Sequence, residues 1–93
     1  MTNDEEILRG HQARRLLDDP LFKAAQDDIE RAIVERMVTA DAGNKDLHQT
    51  LVVMLQQSRA VRRVFEAHVQ TGKMAQIEKE TAAQRLKKAV GWR

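Results

Sequence analysis

Between Leu47 and Gly72, apolar and small side chains return at alternating steps of four and three: Leu47, Leu51, Met54, Ser58, Val61, Phe65, His68 and Gly72. A repeat averaging about 3.5 residues is the period of a coiled-coil seam, and Leu47, Leu51, Met54, Ser58, Val61, Phe65 and His68 are the candidate oligomer interface. Leu55 and Val64 widen the stripe. Upstream, Phe22, Ala25, Ile29, Ile33, Met37 and Ala40 recur at threes and fours, which gathers them on one side of a second helix. Asp27, Asp28, Glu30, Arg31, Glu35 and Arg36 mostly fall elsewhere and are expected to face solvent.

Punctuation sets the element boundaries. Thr2 or Asn3 can accept hydrogen bonds from the free amides of a first turn carrying Asp4, Glu5 and Glu6, whose charges suit the positive end of a helix dipole. That helix is predicted to run to about Leu17. Asp18-Asp19-Pro20 is a stop and a start together, because proline cannot continue a helix but fits its first position, with Asp19 as N-cap. Helix 2 then spans Pro20 to about Ala40. Asp41 to Lys45 reads as a turn in which Gly43 is free to adopt positive φ and Asn44 caps the next helix. Helix 3 is predicted from Lys45 to Thr71, with Gly72 ending or bending it. A weaker segment from Lys73 to about Ala89 follows, holding Met74, Ile77, Leu86 and Val90 among charges.

The resulting fold class is all-α: a long antiparallel helical hairpin over residues 20–72, an N-terminal helix within 1–19, and a basic, partly flexible helical tail over 73–93. Helix 3 would be about 40 Å long against about 30 Å for helix 2, so it must overhang or find another partner. The chain has 93 residues and only three aromatic ones, Phe22, Phe65 and Trp92, which makes a thin core for a single domain. Pairing two hairpins into an antiparallel four-helix arrangement is the simplest remedy, so a homo-oligomer is expected. A self-contained three-helix bundle is the alternative.

Charge is more informative divided than summed. The formal total is +2, but residues 1–46 carry 11 acidic and 7 basic side chains and residues 47–93 carry 3 and 9, so the halves are −4 and +6. Such asymmetry draws a basic half toward nucleic acid or an acidic protein surface, and equally lets copies pair head to tail. Arg59, Arg62 and Arg63 lie within about one turn, and Arg85, Lys87, Lys88 and Arg93 cluster at the end. These are the candidate contacts to nucleic acid or an acidic partner. The bland reading is a solvated face plus a charged tail, with Glu66 placed to pair with Arg62 or Arg63. Helix 2 is a poor groove reader because its acids would meet phosphate repulsion. Trp92, between Gly91 and Arg93, is a candidate anchor in a partner's groove.

Reactive chemistry finds little support. The chain has no cysteine, so disulfides and thiolate ligands are excluded. His11, His48 and His68 form no H-x-x-x-H or H-E-x-x-H spacing; His68 reads as an interface histidine, with a pH-dependent assembly switch as the sharper alternative. The turn after Asp41 lacks the oxygen-ligand spacing of a calcium loop. Asp18-Asp19 and Asp27-Asp28 point apart on helices and make no hydrolytic pair. No catalytic residue, metal site, cofactor or small-molecule substrate is therefore expected. The acidic start lacks the pattern of a signal peptide and no stretch reaches the roughly 20 apolar residues of a membrane span. A cytoplasmic protein that does not engage membranes is expected.

The string Arg14-Arg15-Leu16-Leu17-Asp18-Asp19-Pro20-Leu21-Phe22, with Arg62-Arg63-Val64-Phe65-Glu66-Ala67-His68-Val69-Gln70-Thr71-Gly72-Lys73-Met74-Ala75 further on, resembles short helical proteins encoded among the head and packaging genes of tailed bacteriophages. The likeness covers roughly residues 9–77. It implies a non-enzymatic role in virion assembly or genome packaging, in the host cytoplasm or on the virion, through self-association and another phage or host protein. A DNA-binding accessory protein resembling a small terminase component is the alternative reading, and a phage protein that blocks a host factor is a further one.

Overall fold

The computed structural model describes residues 2–91. The protein is all-α, with three helices in chain order and no strand among the described residues: α1 (Asn3–Asp18), α2 (Pro20–Thr39) and α3 (Lys45–Gly91). The caps follow the sequence chemistry. Thr2 Oγ1 accepts from the Glu5 amide at 3.2 Å, and Asp19 Oδ1 accepts from the Leu21 and Phe22 amides at 2.8 and 3.1 Å ahead of Pro20 in the first turn of α2. Asn44 Oδ1 accepts from the Leu47 amide at 3.2 Å and opens α3. In the turn before it, the Gly43 amide donates to Asp41 Oδ1 at 3.0 Å and His48 Nε2 lies 3.1 Å from the Asp41 carbonyl. No described residue has positive φ, so this Asx-type turn does not use the left-handed freedom expected of Gly43.

The largest departure from expectation is at Gly72, where α3 neither ends nor bends but continues to Gly91. The stretch expected as a separate, weaker segment is the second half of one 47-residue helix. Gly72 lacks the positive φ of a terminating cap, and the flanking Ala, Gln, Glu and Lys residues favour helix strongly enough to carry one glycine.

The chain divides into two compact units. In one, Leu16–Val64, α2 packs antiparallel on the first part of α3, with Gln26 beside Ser58 and Arg62, and Glu30 beside Arg59. In the other, Met1–Arg15 with Phe65–Arg93, α1 packs antiparallel on the rest of α3, with Gly10 against Gly72 and Asp4 against Lys79. Each is a pair of helices with a thin core. Ile33 and Leu51 are the buried apolar residues of the first, and Ala13, Val69 and Ala75 those of the second.

Candidate interaction surface

In the α2–α3 unit, the face of α3 turned to α2 holds His48, Leu51, Leu55, Ser58 and Arg62, all buried or half-buried, while Met54 and Val61 are 45% and 47% exposed. Of the seam expected as an oligomer interface, Leu47, Leu51 and Ser58 are half-buried or buried in this unit, whereas Met54 and Val61 stay uncovered. Leu55 and Arg62 face α2 instead. The reason is a polar contact. Arg62 Nε donates to Gln26 Oε1 at 3.0 Å, and Gln26 Nε2 donates to the Ser58 carbonyl at 3.4 Å. Gln26 is 6% exposed, and a buried amide is retained only when its donors and acceptors find partners.

The inward face of α2 shifts for the same reason. Phe22, Gln26, Glu30, Ile33 and Met37 line it, whereas Ala25 and Ile29, both expected there, are exposed. Glu30 Oε1 is buried and has no hydrogen-bond partner among the described residues. Arg59 Nε approaches it at 3.9 Å, a separation that supplies Coulombic attraction without a hydrogen bond. Arg62 is thus engaged within the chain, while Arg59, beside Glu30, and Arg63 are both exposed.

In the α1–α3 unit the backbones meet. A Cβ built on Gly10 would lie 3.0 Å from the Gly72 Cα and 3.0 Å from the His68 carbonyl oxygen; one built on Gly72 would lie 3.0 Å from the Gly10 Cα and from the Glu6 carbonyl oxygen. Ala13 and Ala75, three residues beyond each glycine, are buried beside this crossing. A Gly-x-x-Ala pair stands in both helices, as Gly10 to Ala13 and Gly72 to Ala75. That repeat was the signal for the crossing, and a search for large apolar residues passes over it. Phe65 and His68 are half-buried, and Val69 is buried on the same face. Lys79 Nζ and Asp4 Oδ1 close the α1 end at 2.7 Å.

Exposed apolar side chains occur on every helix, with Leu21 and Val38 of α2 each 78% exposed, and α3 carries two stretches of them. On the first part of α3, Val53, Met54, Val61 and Val64 are all at least two-fifths exposed, and Thr50, Val53, Met54 and Gln57 line a shallow open depression. On the last part, every side chain from Gln76 to Gly91 is exposed, Leu86 and Val90 by 67% and 58%. Arg85, Lys87 and Lys88 lie on this stretch; Trp92 and Arg93 lie outside the described residues. Leu47 is half-buried. Among the described residues no group of three or more His, Asp or Glu is placed to hold a metal ion, and no helix is long and apolar enough to cross a membrane.

No protein-family model, curated protein or solved structure matches the chain. The functional reading therefore rests on this surface.

Proposed function

We propose that the protein is a non-enzymatic helical interaction protein that works by self-association and by binding a further macromolecule. The observation that carries this is the excess of accessible surface. The chain exposes 7366 Å², whereas the surface of a folded 10.7 kDa monomer is roughly 5,500 Å² when scaled as mass to the power 0.73. The difference, roughly 1,900 Å², exceeds the roughly 800 Å² that each partner buries in a standard interface. Met54, Val61, Leu86 and Val90 supply apolar side chains to such a contact. The likeness to phage head and packaging proteins supports virion assembly or genome packaging as the setting, with another phage or host protein as the further partner.

Nucleic-acid binding is the second reading, supported by one feature. From Thr81 to Gly91 the chain carries Arg85, Lys87 and Lys88 and no acid, and all three are exposed. With Arg62 engaged internally, this reading rests on the exposed Arg59 and Arg63 and on the end of α3.

Light scattering after size exclusion, at low and high salt and with and without a short DNA duplex, separates the two. A dimer or larger assembly that persists in salt without DNA is the expected result. A monomer that shifts only with DNA at low salt would replace the first reading with the second.

A further inference from the structure

The α1-facing side of α3 does not stop where α1 stops. Phe65, His68, Val69, Gly72 and Ala75 are half-buried or buried on it, and from Val69 and Gly72 steps of four and three lead through the exposed Gln76 to Lys79. Lys79 is the last of them within reach of α1, through its ion pair with Asp4 next to the first residue of that helix. The same alternation runs on without a break through Ala83, Leu86 and Val90. There it meets no other helix among the described residues, and Glu80, Ala83, Gln84, Leu86, Lys87 and Val90 line a shallow open depression. A seam continued for about three further turns beyond its contact with α1 can receive a second helix.

We propose that this helix is the same stretch of a second copy, running antiparallel about a two-fold axis. The proposal rests on the self-association inferred above and names its surface. The argument is charge complementarity. Glu80 and Lys87 lie on one flank of the seam, one heptad apart, and Ala82 and Ala89 lie on the other. When two such stretches run antiparallel with Ala83 of each facing Leu86 of the other, Glu80 of one copy falls beside Lys87 of the second. The two-fold axis makes the same pair again. In a parallel pairing each acid or base on this flank faces an alanine flank, because opposite flanks of the two helices then meet. The antiparallel arrangement therefore gains two ion pairs that the parallel one lacks. Its other flank is all alanine, which lets the two backbones approach closely. An acidic helix from another protein would meet Arg85, Lys87 and Lys88 favourably but would leave Glu80 facing like charge.

The chain contains no cysteine, which makes the geometry directly testable by mixing an Ala83→Cys variant with a Leu86→Cys variant under oxidising conditions. The mixed disulfide should dominate over either variant joined to itself. Preferential joining of each variant to its own kind would overturn the antiparallel pairing. In sedimentation equilibrium, Glu80→Lys should weaken the dimer by about tenfold in Kd, and Glu80→Lys with Lys87→Glu should recover most of the loss. Leu86→Glu should dissociate it. All of these side chains are exposed within the single chain, so circular dichroism of the variants should match that of the parent. A parent protein that is monomeric at all concentrations overturns self-association as a whole. A parent dimer indifferent to both Glu80→Lys and Leu86→Glu overturns only this surface and moves the contact to the exposed face around Met54 and Val61.

Discussion

At Gly10 a single methyl group has nowhere to go. The atoms it would meet, the Gly72 Cα and the His68 carbonyl oxygen, both at 3.0 Å, belong to backbone held in a helix and cannot swing aside. Alanine is the better helix former by about 1 kcal/mol, but separating two packed helices costs more. Gly10→Ala and Gly72→Ala are each expected to lower stability by a net of about 1 to 2 kcal/mol, read as a fall of several degrees in the thermal midpoint. Gly43→Ala is the internal control. Its added Cβ would sit 3.6 Å from Asp41 Oδ1, an ordinary contact, and its φ is not positive. That substitution is expected to be neutral or to stabilise by up to about 1 kcal/mol through the unfolded chain. At Asp19, whose carboxylate accepts from two amides at the start of α2, alanine should cost about 1 kcal/mol in a urea melt.

At the scale of the helix, existence and starts were legible because they depend on local chemistry. Thr2, Asp19 with Pro20, and Asn44 each act where they stand in the sequence. Phase was legible only in part. The faces that α2 and α3 turn to each other depart from the apolar pattern where the contact is polar: Gln26 and Glu30 on one helix, Arg62 on the other. An arginine can lay its aliphatic stem along a seam and keep its guanidinium on a partner, but periodicity does not announce which arginine has one. Gly72 failed for a related reason, since a glycine that ends a helix and one that admits another backbone have the same letter. The Gln26–Arg62 pair gives the test. Gln26→Leu should destabilise by about 1 to 3 kcal/mol by leaving the half-buried Arg62 guanidinium without its acceptor, and adding Arg62→Leu should restore most of that loss. If the double variant is no more stable than the single, the pair does not fix the phase of the hairpin. It also follows that Arg62→Gln is a poor probe of nucleic-acid binding, because it disturbs the core. Arg63, Arg85 and Lys88 are cleaner sites, as all three are exposed.

At the scale of the whole molecule, the surface left in water governs stability as much as the core does. A chain in which Ala13, Ile33, Leu51, Val69 and Ala75 are the buried apolar residues has little apolar burial of its own, and the proposed self-association would add to it. Its unfolding should then depend on concentration: a tenfold increase is expected to raise the thermal midpoint by about 3 °C for a two-chain unit of this size. A midpoint that does not move with concentration would mean that each chain is stable by itself. The sequence carried the thinness of the core in its three aromatic residues. It did not carry where the uncovered surface lies, because that depends on where α1 ends along α3.

The Gly10–Gly72 crossing also bears on inheritance. Every amino acid other than glycine has a Cβ, so any codon change that alters either residue brings an atom into the same space. Neither site can drift while the other waits, and no second change on the opposite helix relieves the first, because glycine is already the smallest residue available. The two positions should therefore stay fixed in any lineage that keeps this helix pairing, while the open end of α3 is free to vary with whatever it meets.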